Sequence, residues 1–89
     1  MKNDSERRFL TVPGHLPGEW LNVSKDRILE FTYADDLRSV QIVGMGLKTG
    51  FIIGLTAHDE KVGKDDNGVY WTKTDEATVR ETINQLREL

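Results

Sequence analysis

Gly44–Asp59 reads Gly-Met-Gly-Leu-Lys-Thr-Gly-Phe-Ile-Ile-Gly-Leu-Thr-Ala-His-Asp, and it is the longest apolar stretch of a chain that is 30% charged. Gly44, Gly46, Gly50 and Gly54 punctuate it where a strand bends, turns or lets another backbone approach. Ser39–Met45 and Phe51–Ala57 flank Gly46–Gly50, so the stretch reads as a central β-hairpin.

Shorter strand signals surround this hairpin. Arg8–Val12, Glu19–Val23, Asp26–Tyr33 and Val69–Lys73 are strand candidates. Pro13–Gly18 is a turn-rich connector, Asp35-Asp36 a turn, and Asp59–Gly68 a charged loop ending in the turn dipeptide Asn67-Gly68. The period then changes. Val79, Ile83 and Leu86 fall at i, i+4 and i+7, which predicts a helix over about Glu76–Arg87, within residues 75–88 and capped by Thr74 or Asp75. Glu76 and Arg80 form a favourable i, i+4 pair on it. The expected fold is mostly β with one C-terminal helix, a small antiparallel sheet or barrel of about five to six strands. Met1–Glu6 reads as a frayed polar tail, and residues 7–89 as one domain.

Composition narrows the function classes. There is no cysteine, which excludes disulfides, thiolate metal sites and cysteine catalysis. A chain of 89 residues buries a thin core and gains from association. The formal net charge of −3 opposes a purely electrostatic nucleic-acid binder. No apolar h-region follows the polar first residues and no apolar run has the length of a membrane span, so a cytoplasmic protein without membrane association is expected. The sequons at Asn3 and Asn22 carry little weight in that setting.

Catalytic and cofactor motifs fail on spacing. Gly44-x-Gly46-x-x-x-Gly50 is followed by an apolar β run and lacks the Gly-Lys-Ser/Thr that opens a P-loop helix. The third glycine of a dinucleotide fingerprint would fall on Thr49. Asp65-Asp66-Asn67-Gly68 resembles a calcium loop, but Thr74 stands where the bidentate Glu is required. His58-Asp59-Glu60 groups possible ligands or acid–base residues, and strand alternation would let His58 and Glu60 converge while Asp59 points away. The expectation is a protein that is not an enzyme, with no cofactor and no metal. Trp20, Tyr70 and Trp71 read as core or interface residues, or as stacking surfaces for bases.

Three blocks, taken in order, resemble the carbon storage regulator family. Phe9-Leu10-Thr11 followed by Gly18-Glu19 resembles its opening strand, Gly44–Ala57 its central hairpin, and Val69–Lys73 the last strand that runs into its C-terminal helix. The chain departs from the pattern at Val12 and Lys73, where the family has Arg, at Ala57-His58, where it has Ala-Pro, and in the added Ser24–Ser39 segment. The resemblance implies a strand-interleaved homodimer. It further implies an RNA-binding translational regulator that recognises GGA-containing hairpins in mRNA leaders, with the RNA site at Leu10, Thr11, Ala57 and Lys73; Arg8, next to that site, is expected to compensate for the missing Arg and to join the RNA contact. Lys73 lacks the planar fork of Arg, which weakens base specificity. The alternative is a non-catalytic protein-binding module, an inhibitor or adaptor on a similar fold, favoured by the acidic balance and by Asp26, Glu30, Asp35 and Asp36.

Overall fold

The computed structural model describes residues 8–89; the expected tail at Met1–Glu6 lies outside the described residues. The described residues are mostly β, with a C-terminal helix. Its strands are β1 (Phe9–Pro13), β2 (Trp20–Ser24), β3 (Ile28–Tyr33), β4 (Ser39–Met45), β5 (Gly50–Thr56), β6 (Gly63–Lys64) and β7 (Tyr70–Lys73), and the helix is α1 (Glu76–Arg87). β1 and β2 form a separate hairpin, and the other five strands form one sheet in the order β3-β4-β5-β7-β6. The sheet does not close into a barrel.

The central hairpin forms where the sequence places it. β4 and β5 pair antiparallel from Ser39↔Thr56 to Met45↔Gly50, and Gly46 N–H closes the turn on Thr49 O at 2.8 Å. The Asp26–Tyr33 segment supplies β3, paired to β4 with a register shift between Ile28 and Glu30 that makes Leu29 a bulge. The departure from an all-antiparallel sheet comes at β7, which pairs parallel to β5 through Gly54↔Trp71 and Thr56↔Lys73. Parallel neighbours need a crossover. The charged segment expected as a loop supplies it, through a 3-10 turn at Asp59–Lys61 and the two-residue strand β6.

Period two along β4 and β5 gives the main sheet one apolar face. Val40 and Ile42 lie opposite Leu55 and Ile53 on it, and the helix packs there. Val79, Ile83 and Leu86 of α1 join Leu10, Val12, Val23, Val40, Ile42 and Leu55 in a single buried core. The cap of α1 is Asp75, whose Oδ1 accepts from Thr78 N–H at 2.7 Å. The hairpin β1–β2 contributes Leu10, Val12 and Val23 to this core and turns Thr11 and Asn22 away from it. No helix among the described residues is long and apolar enough to cross a membrane.

Candidate binding surface

The β1–β2 connector builds the first groove. Gly14 N–H donates to Glu19 O at 2.8 Å, Glu19 N–H donates to Leu16 O at 3.0 Å, and Gly18 takes φ 75°, so the Pro13–Gly18 connector folds into a hydrogen-bonded turn. His15 then ties this turn to β7. Its Nδ1 lies 2.8 Å from Thr72 Oγ1, and its ring centroid lies 4.3 Å from that of Tyr70. Between turn and strand runs a groove of about 350 Å³ lined by Leu16, Trp20, Val62, Tyr70 and Lys73. Trp20 stays 60% exposed at its rim.

On the other side of the hairpin lies a more apolar groove of about 530 Å³. Phe9 and Leu21 bound it from the hairpin, and Phe51, Ile52 and Ile53 from β5. His15 lines both grooves. The hairpin is therefore flanked by exposed apolar side chains: Phe9, Leu21 and Ile52 on one side, and Leu16, Trp20, Val62 and Tyr70 on the other.

The residues implied by the family resemblance separate on this frame. Arg8 is exposed just ahead of β1. Leu10 is 1% exposed, so its side chain belongs to the core and presents no apolar surface to a base. Thr11 faces outward, its hydroxyl donating to Asn22 Oδ1 at 2.8 Å. Ala57 donates its N–H to Arg38 O at 2.8 Å. It shares a small groove of about 300 Å³ with Lys73, Arg38, Thr74, Asp75 and Glu76. The fold thus brings Ala57 and Lys73 together. Lys73 Nζ pairs with Asp59 Oδ1 at 2.8 Å, and this hydrogen-bonded cation holds the Asp59 carboxyl below its ordinary range.

The polar clusters have structural employment. His58 and Glu60 do converge, at the start of the 3-10 turn rather than on a strand: His58, the residue before the turn, has Nδ1 3.5 Å from Glu60 Oε1 and Nε2 2.8 Å from Asp36 Oδ2. Asp36 lies below the ordinary carboxylate range, first because it accepts from Arg38 N–H and then because of His58. Among the described residues no group of three or more His, Cys, Asp or Glu side chains is arranged to hold a metal ion. Asp65 organises its turn: Oδ1 accepts from Asn67 N–H and Val69 N–H, both at 2.9 Å, and Oδ2 from Trp71 Nε1–H at 2.9 Å. The indole bond first, and the Val69 N–H next, lower the Asp65 pKa.

The three aromatic residues differ in burial. Trp71 is buried, with Lys61 Nζ 4.3 Å from its ring centroid. Trp20 and Tyr70 face solvent and flank the first groove. Sequence reasoning missed the groove contributions of His15, Leu16, Phe9, Leu21 and Ile52. Trp20 next to Leu21 was the available signal, because adjacent strand residues cannot both point into one core. This surface defines a small β domain with a helical cover and apolar grooves beside its hairpin. No protein-family model, curated protein or solved structure matches the chain.

Proposed function

We propose that this protein is a non-catalytic module that binds another protein on the surface flanking the β1–β2 hairpin. The observation that carries this reading is the run of exposed apolar side chains along the two grooves that share His15. Exposed apolar patches rimmed by polar groups mark interaction sites, and Trp and Tyr are the side chains most enriched among residues that dominate binding energy. Trp20 and Tyr70 are the anchors, with Phe9, Leu21 and Ile52 extending the contact. The polar rim comes from Arg27, Glu19 and Lys73. Affinity capture from the native cell with wild type and with Trp20→Ala/Tyr70→Ala tests the reading. The expected result is a protein partner retained after nuclease treatment and lost in the double variant. A partner held equally by the variant overturns it.

A second reading rests on a separate observation: Lys73, whose ammonium is paired with Asp59, lines the same groove as Tyr70, Trp20 and His15. Aromatic faces beside a cation are how unpaired bases are bound. On this reading the chain is an RNA-binding translational regulator similar to the carbon storage regulator family, and Lys73 and Tyr70 hold a GGA loop. A gel shift with a GGA hairpin over a salt series separates the readings. RNA binding predicts a complex that weakens steeply with salt and is lost in Lys73→Ala; absence of a complex at low salt eliminates it.

A further inference from the structure

We propose that two copies of this chain join edge to edge along β3, about a two-fold axis at Thr32, so that their sheets continue into one. The two edges of the main sheet differ. β6 at one edge has only two residues and carries Lys64, and short charged strands resist pairing. β3 at the other edge has six residues, Ile28-Leu-Glu-Phe-Thr-Tyr33, with Glu30 as its one charge and no proline or lysine. The bulge at Leu29 guards its first part and leaves Glu30–Tyr33 regular.

Backbone polarity fixes the register of a second strand. Ala34 N–H donates to Ser39 O at 3.1 Å, so Ala34 turns its polar groups toward β4. Strand alternation turns Thr32 and Glu30 the same way, and turns the N–H and C=O of Phe31 and Tyr33 outward. An antiparallel second copy centred on Thr32 sets Phe31 opposite Tyr33 of the other chain, and Tyr33 opposite its Phe31. Both pairs are then of the hydrogen-bonded kind, using the outward groups. Their rings, already stacked within one chain with centroids 6.2 Å apart and planes at 15°, meet as cross-strand aromatic pairs.

The same axis explains why the occupant is a second copy. Thr32 meets Thr32, and Glu30 meets Ala34, so no like charges face each other. The Asp35-Asp36 turn of one chain comes toward Arg27 of the other, opposite in sign. The helix packs mainly on β1, β4 and β5, and on the β3 side of that face Phe31 is partly buried against the core while Tyr33 stays 40% exposed, which leaves its ring available to the second copy. Neither chain gives up a strand, so this arrangement differs from interleaving.

Light scattering after size exclusion, over a dilution series, tests the proposal. Wild type is expected at twice the chain mass at high concentration. Thr32 is exposed. Thr32→Lys and Thr32→Glu each place like charges across the axis and weaken the dimer by about tenfold, whereas their mixture restores it. Tyr33→Pro, which removes an outward N–H and spares the β4 ladder, also weakens it. Circular dichroism of each variant checks that it is folded. A monomeric wild type overturns the proposal, whether its edge stays open or takes a foreign strand. So does a dimer that Thr32→Lys and Tyr33→Pro leave intact.

Discussion

The indole of Trp71 occupies the space where a side chain on Gly54 would begin: a Cβ there would lie 2.8 Å from Trp71 Cε3 and 3.1 Å from Val69 Cγ1. The contact follows from the parallel pairing of β5 with β7, which puts these residues opposite each other. Trp71 cannot easily give way, because Asp65 holds its Nε1–H. Gly54→Ala is therefore expected to destabilise the fold by about 1–3 kcal/mol through overpacking. Gly50, whose Cβ would meet only Gly44 O at 3.4 Å, is the control. Gly50→Ala should stay within about 0.5 kcal/mol in the same urea titration.

Acid should loosen the β6–β7 turn. Asp65 has a lowered pKa in the folded protein, first from the Trp71 indole and then from Val69 N–H. A depressed folded value contributes stability above the unfolded pKa and loses it as pH falls through the folded one. Asp59, held low by Lys73, and Asp75, held low by Thr78, act in the same direction. Stability is expected to hold at neutral pH and fall below about pH 4. Asp65→Asn should flatten part of that slope, read as the urea midpoint against pH by tryptophan fluorescence.

Leu10 and Thr11 are neighbours with opposite roles. Leu10→Ala removes a fully buried side chain from the core shared with α1 and should cost about 2–5 kcal/mol. Thr11→Ala breaks only an exposed bond to Asn22 and should change stability by no more than about 0.5 kcal/mol. Thermal unfolding of the two variants measures the difference.

Thr56 is a buried polar joint. Ser39 Oγ and Thr56 Oγ1 lie 2.8 Å apart, and Thr56 Oγ1 also accepts from His58 N–H at 3.1 Å. Thr56→Val strands both partners and should cost about 1–3 kcal/mol, while Thr56→Ser keeps the hydroxyl and should lose less. Chemical denaturation of the pair is the check.

The strand-rich class and the helix were legible because each rests on a local period. Val79, Ile83 and Leu86 mark one face of a helix wherever the helix docks, and the structure buries all of them. Gly46–Gly50 marks a reversal whichever strands flank it. The two-residue β6 was not legible: nothing in Gly63-Lys64 favours a strand, and it forms because β7 offers a free edge. The candidate surface was half legible. Trp20, Tyr70 and Lys73 stood out by residue type, but His15 gained its place only by reaching Thr72, 57 residues along the chain.

By itself the sequence determined a mostly β fold with a C-terminal helix, and it contains no cysteine and no complete phosphate-loop motif. Alternation also determined which residues of each strand share a face. It could not say which strand, turn or helix covers that face, because the covering element arrives through a crossover whose path no local pattern records. Tertiary structure alone decided that β7 lies parallel to β5, that Trp71 is sealed over Gly54 while Trp20 faces water, that Leu10 belongs to the core, and that Lys73 meets Asp59. The physical reason is common to all of these: burial and ion pairing belong to pairs of residues far apart in the chain, whereas period and turn chemistry belong to neighbours.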